Sequence, residues 1–204
     1  MIGNDIVDLQ VAQKESNWNR PRFLQKVFTN EEREYINTAP DKNKAVWLLW
    51  SKKESAYKII VRHLQKRFFA PKELMNTIDS TDSQDYQSKH LGLVTFGKFL
   101  IHTRSTITNR YIHTIAQEHN DFTNLNVDCF SIDKNEYQAQ HQTTHHRVIQ
   151  HYSIMTQSSA NFKIRKSALK VPSLYAGDTK LKVHISTSHH GNYGGFALES
   201  TSLK

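Results

Sequence analysis

The sequence predicts an α+β protein in which one long helix packs on an antiparallel sheet. From Lys44 to about Leu64 there is no Gly or Pro, and Ala45, Leu48, Leu49, Ala56, Ile60 and Leu64 make most of an apolar stripe at helical spacing. Two β-rich runs, Leu93 to His102 and Ile107 to Ala116, are joined by Thr103-Arg104-Ser105-Thr106 and suggest a hairpin. Alternating segments near both ends of the chain, Ile2 to Leu9 and Leu181 to Ile185, read as further strands.

In chain order, Ile2 to Leu9 is rich in branched residues, with Val7 and Leu9 assigned to one face and Ile6 to the other. Pro21 opens a basic segment, Arg22 to Phe28. Thr29 is a predicted helix N-cap, because Glu31, Glu32 and Glu34 follow where carboxylates suit the helix dipole, and this helix runs to about Asn37. Ala39-Pro40-Asp41 separates it from the long helix. Residues 76 to 90 are polar and turn-rich and read as a loop. Helix is predicted again from Thr143 to Met155. Leu181, Val183 and Ile185 alternate with Lys182, His184 and Ser186, a half-buried strand that delivers Ser188 and His189 just past its last inward residue. Gly194 and Gly195 are expected to interrupt before Phe196 to Leu198 return as a strand. The chain shows no internal repeat. Residues 1–204 are taken as one domain with a β-rich region inserted at about 76–140.

A 37% hydrophobic fraction with 10% aromatics suits a chain that buries its own core. The single cysteine, Cys129, excludes an internal disulfide framework and a cysteine-based zinc site, which fits a reducing compartment. The N-terminus carries Asp5 and Asp8 without a basic leader region, and no apolar run approaches the roughly 20 residues that span a bilayer. A cytoplasmic protein with no membrane partner is expected. The net charge is +8, and between Arg20 and Arg67 twelve Lys or Arg face five Asp or Glu. A local positive face steers an acidic partner. No zinc-finger spacing, leucine heptad or RNA-binding aromatic signature accompanies it, so nucleic acid is not the expected partner.

Two carboxylates stand out. Asp5 lies in the strand-like Gly3-Asn4-Asp5-Ile6-Val7-Asp8-Leu9, and Glu54 lies in the long helix one turn before Lys58, on a shared face. An inward carboxylate on a buried helix is costly unless a metal or cation compensates. The pair suits a divalent metal held against a phosphate.

These residues resemble the 4'-phosphopantetheinyl transferase superfamily, and within it the short holo-acyl-carrier-protein synthase type. The family's Gly-x-Asp-Ile strand appears as Gly3-Asn4-Asp5-Ile6. Its Lys-Glu-(Ala/Ser)-x-x-Lys helix appears as Lys53-Glu54-Ser55-Ala56-Tyr57-Lys58 after Trp50. A Ser-x-(Ser/Thr)-His element followed by small residues appears as Ser186-Thr187-Ser188-His189 before Gly194-Gly195-Phe196-Ala197, and Arg22-Phe23 and Phe28-Thr29 match the connecting segment. Three motifs in this order, the first two about 45 residues apart, are far more specific than any one alone.

The resemblance implies transfer of the phosphopantetheine arm of coenzyme A to a serine of an acidic acyl or peptidyl carrier protein, releasing adenosine 3',5'-bisphosphate. It implies Mg²⁺ held by Asp5 and Glu54, with Glu54 activating the serine and Lys58 reaching the pyrophosphate. Lys53, Ser188 and His189 join Lys58 as cofactor-binding residues. Arg67, Arg165 and Lys166 are candidates for the nucleotide end. Longer members carry a third acidic ligand where this chain has Val7; Asp8 matches the short type and is a structural or supporting candidate. The motif order also follows the short type, which places its site between subunits, so a homotrimer with an interface site is the implied assembly.

Blander readings stand beside these. Asp5 alone would be a strand-end turn cap, and Glu54 with Lys58 an exposed pair worth about 0.3 to 0.5 kcal/mol. His141, His145, His146 and His151 read as a solvated helix end rather than a zinc site. Arg20, Arg22, Lys26 and Arg33 are either a solvated face or the docking surface for an acidic carrier. The runner-up function is a catalytically silent relative that binds carrier protein or coenzyme A without turnover, and a basic nucleic-acid-binding protein trails both.

Overall fold

The computed structural model describes residues 1–78, 89–133 and 136–200. The elements are β1 (Ile2–Asp8), α1 (Leu9–Glu15), α2 (Phe23–Val27), α3 (Asn30–Thr38), α4 (Lys42–Leu64), β2 (Met75–Asn76), β3 (Lys89–Phe96), β4 (Phe99–Ile107), β5 (Tyr111–Gln117), β6 (Leu125–Ser131), α5 (Tyr137–Thr156), β7 (Phe162–Lys166), β8 (Pro172–Ala176), β9 (Thr179–Lys180), β10 (Val183–His190) and β11 (Tyr193–Ser200). They make an antiparallel five-stranded sheet, β1-β5-β4-β3-β2, and two three-stranded sheets, β10-β11-β6 and β7-β8-β9. The long helix α4 packs on the first sheet, and α5 packs on β10, β11 and β7. The α+β architecture read from the sequence is the one observed. Among the described residues no helix is long and apolar enough to cross a membrane.

Local chemistry explains the helix starts. Thr29 accepts from the Glu32 amide at 3.2 Å while the Glu32 carboxylate takes the Thr29 amide at 2.9 Å, a reciprocal cap. Asp41 caps α4 through the Lys44 amide. Asp8 ends β1 and caps α1 through the Gln10 and Val11 amides, and its other oxygen holds Asn192 at the β10–β11 turn. These bonds fix the start of α1 and the turn after β10, and the Asp8 amide donates to His190 Nδ1 at 2.9 Å. Leu9 therefore begins a helix rather than ending the strand, yet it shares a core with Val7 as the alternation predicted.

Two turn assignments and one helix start differ from the sequence reading. Thr103 to Thr106 lies mid-strand in β4, and the turns fall at Gly97-Lys98 and at Thr108 to Arg110. The expected linker has no residue that favours φ above zero, whereas Gly97 has φ 53°. Thr103 and Ser105 face inward and Arg104 stacks over Phe122 at 4.8 Å. Gly194 and Gly195 sit inside β11, and the bend comes earlier, at Gly191. A Cβ on Gly195 would lie 2.8 Å from His113 Nε2, so close packing between sheets accounts for that glycine. Helix α5 begins before Thr143, at Tyr137, where Gln140 donates to the Gly191 carbonyl at 2.7 Å. Of the polar stretch 76–90, residues 79–88 lie outside the described residues, while Asn76 closes β2 and Lys89 opens β3.

Strand β1 is buried on both faces. Gly3, Asp5 and Val7 turn toward α4, and Ile2 and Asn4 turn toward the β10-β11-β6 sheet. Asn4 ties the two sheets: its amide donates to Ser186 Oγ at 3.0 Å, and its side chain reaches Ser188 Oγ at 2.8 Å and His113 Nε2 at 3.2 Å. At Gly3 the strand crosses α4 so closely that a Cβ would overlap the Ser55 carbonyl oxygen. Ser51 and Ser55 keep that face of the helix small.

Gly3→Ala should cost about 3 kcal/mol or more in urea unfolding, because both groups in the clash are backbone-bound. A second expectation concerns acid. Burial, with the Lys58 charge, pushes His113 down to about 4. Above about pH 6.5 both folded and unfolded states hold it neutral; as pH falls from there toward 4 only the unfolded state takes up the proton. His113's share of the stability should fall by about 1.4 kcal/mol per pH unit across that window, and His113→Gln should make the slope measured by urea unfolding at several pH values shallower by about that amount.

Candidate active site

The crossing of β1 and α4 sets the site. Asp5 follows Gly3 on the same face of the strand, and Glu54 precedes Ser55 on the helix. Both border one cleft of about 750 Å³, whose other walls include Trp50, Phe69, His189 and His190. Lys58, one turn after Glu54, lies 3.7 Å from Asp5 Oδ1. Its ammonium also donates to the Asn4 carbonyl and, at 3.5 Å, to the Thr187 carbonyl.

Charge in this corner is out of balance. Burial raises the Asp5 carboxyl above the usual range, against the pull of Lys58, Ser51 and His190. Glu54 is pushed up to about 7 by burial first and by the charge of Asp5 second, with Lys58 opposing. The two carboxylates thus feel one another, and Lys58 alone does not neutralise both. That is a donor set suited to a divalent cation. Among the described residues no group of three or more His, Cys, Asp or Glu could hold a metal. Two carboxylates fit magnesium, which commonly takes one or two from protein and fills its shell with water and substrate phosphate.

Glu54 also borders a cavity of about 210 Å³ lined by Lys58, Arg62, Arg67, Lys166, Lys170 and Thr187. Burial lowers the Lys166 ammonium, and the nearby charges of Lys170 and Lys58 lower it further, so these cations crowd one another. Arg62 Nη2 donates to the Ile185 carbonyl at 2.5 Å, and burial pushes this guanidinium down to about 10. Crowded cations beside two carboxylates suit an anionic ligand.

A family model described as the 4'-phosphopantetheinyl transferase superfamily matches residues 1–116, more than half of the chain. The chain belongs to the 4'-phosphopantetheinyl transferase superfamily. It is a transferase of the phosphopantetheinyl kind. No curated protein matches the chain. The matched stretch carries Asp5, Glu54 and Lys58, whereas β10 and the basic turn around Lys170 lie beyond it.

Within this phosphopantetheinyl transferase, Asp5, Glu54 and Lys58 come together as the sequence reading required. His189 stands across the cleft with Nδ1 3.0 Å from Gln140 Oε1. Burial and the charges of His141, Lys166, Lys58 and His190 push it down to about 4, so it is neutral at pH 7. His141 and His145 pack beside it, their rings 3.9 Å apart, on α5. Arg67 and Lys166 line the basic cavity, but Arg165 is turned outward to Asp178 at 2.6 Å.

Two expected cofactor-binding residues are placed elsewhere. Lys53 is 1% exposed and points away from Glu54, donating to Glu32 Oε2 at 2.7 Å and to the Val27 and Pro71 carbonyls. A helix turns about 100° per residue, so adjacent positions cannot share a face. Ser188 is 8% exposed and faces the sheet interior, accepting from Asn4, so Thr187 borders the cavity instead. Sequence reasoning missed Asn4, Arg62 and Thr187. Arg62 carried a signal, being four residues after Lys58 on the same helical face, whereas Asn4 held only the variable place in the Gly-x-Asp motif.

Lys53→Gln should lower unfolding free energy by about 3 to 5 kcal/mol, since it strands the buried Glu32 carboxylate. Chemical denaturation of the variant checks this, and near wild-type stability would contradict the buried ion pair.

Proposed function

We propose that this chain transfers the 4'-phosphopantetheine arm of coenzyme A to a serine of an apo-carrier protein and releases adenosine 3',5'-bisphosphate. The observation that carries the reading is the charge-coupled pair Asp5 and Glu54 on one cleft, with Glu54 bordering the basic cavity as well. A diphosphate has the complementary shape and charge. In this reading the nucleotide end enters among Lys58, Arg67, Lys166 and Lys170, and the diphosphate lies at the two carboxylates.

Asp5 and Glu54 would hold Mg²⁺, which when bound draws charge from the non-bridging phosphoryl oxygens. The serine oxygen forms the new bond to the phosphorus that bears pantetheine, and the bond from that phosphorus to the bridging oxygen breaks. Its electron pair leaves with adenosine 3',5'-bisphosphate. Glu54 takes the serine proton, directly or through an ordered water. Lys58, fixed by two backbone carbonyls, steadies the diphosphate oxygens without having to be ordered at the moment of reaction. Thr187 and His189 supply neutral polar walls.

Arg20 and Lys26 line the cleft side on which the serine would arrive, which suits an acidic acyl or peptidyl carrier.

Incubation with apo-carrier protein, coenzyme A and magnesium should add the mass of the arm to the carrier. Asp5→Asn and Glu54→Gln should each lower kcat/KM by about 100-fold or more, and a chelator should abolish transfer until magnesium is returned. Unchanged rates in both variants would overturn the assignment. Carrier or coenzyme A binding by the wild type with no mass gain would mark a silent relative.

A further inference from the structure

Phe69 is 84% exposed, more than any other large apolar side chain among the described residues. A lone exposed aromatic is ordinary, but the position of this one is not. It forms the rim between the cleft of about 750 Å³ and a second cavity of about 400 Å³ lined by Trp50, Tyr57, Phe68 and Leu74, and Glu54 borders both. Its backbone is also held. Phe68 packs edge-on against Tyr57 at 5.0 Å and tilted against Phe96 at 4.9 Å, and two residues after Phe69 the Pro71 carbonyl accepts from the buried Lys53 at 2.7 Å.

From this geometry, and resting on the transferase reading above, we propose that Phe69 is the apolar anchor that seats a folded acidic carrier protein and so delivers its serine to Glu54. Strongly binding interface residues are aromatic, central and ringed by polar groups that exclude water. Arg67 borders Phe69 in one cavity, and Arg20 and Lys26 border it in the other. A side chain held on a fixed backbone loses little freedom on docking. The occupant is a protein with an acidic rim around an apolar depression. Coenzyme A is the poorer fit, because its phosphates have the basic cavity, which Phe69 does not line. A single-stranded nucleic acid could stack on Phe69, but its phosphates would run past Asp5, Glu54 and Glu15, which share that cleft.

Phe69→Ala and Phe69→Asp leave the core untouched, so both variants should fold. With apo-acyl-carrier protein and an apo-peptidyl-carrier domain as probes, the alanine variant should raise the carrier KM about tenfold and the aspartate variant should raise it further. The kcat and the coenzyme A KM should stay at wild-type values, and direct carrier binding should weaken in parallel. An unchanged carrier KM, or a coenzyme A KM that rises with it, would overturn the anchor while leaving the transferase reading intact. If the wild type binds carrier without modifying it, the binding constants decide by the same criterion. A wild type that neither binds nor modifies any carrier overturns both, and so does an oligonucleotide affinity lost in the Phe69 variants while carrier binding is absent.

Discussion

The site depends on how closely α4 lies on β1. At Gly3 and Ser55 strand and helix meet backbone to backbone, without a side chain between them. Burial follows from that closeness, because residues flanking such a contact have little room for water. Asp5 and Glu54 are those residues. Their raised proton affinities are therefore a product of packing, and the glycine of the first motif and the serine of the second serve the chemistry by being small.

Neighbouring lysines on α4 show how the fold divides one residue type between two tasks. Lys53 is spent on Glu32 and two carbonyls, joining α3, α4 and the chain at Pro71. Lys58 reaches the other way and keeps part of its ammonium toward Asp5 and the cavity. Desolvation offsets most of the attraction in a buried pair such as Lys53 with Glu32, so breaking it costs more than forming it contributes. Its location beneath the 66–71 segment gives that segment a fixed base.

Much of this was legible because helices and strands impose periods. The spacing of four between Glu54 and Lys58 places them on one face, and the Thr29 cap with Glu32 three residues on marks the start of α3 from composition alone. What was not legible involves contacts distant in sequence. Ser186 and Ser188 face β1 because Asn4 bridges to them across more than 180 residues, and nothing in the local alternation says which face of β10 meets the cavity. Lys53 looked like a ligand because it adjoins Glu54 in the motif, yet adjacency on a helix separates side chains. The polarity of Thr103 to Thr106 suggests a turn, yet a buried sheet interior accepts small hydroxyl residues, as the Ser105 to Thr114 contact at 2.8 Å illustrates.

Strand β10 ends its sheet, and such a margin normally offers bare carbonyls to any extended chain that drifts by. Here Arg62 and Lys58 reach across from α4 to the Ile185 and Thr187 carbonyls. The cations that face the ligand cavity thereby also withhold that margin from templated growth, and an enzyme losing them would become more prone to aggregate as well as less able to bind.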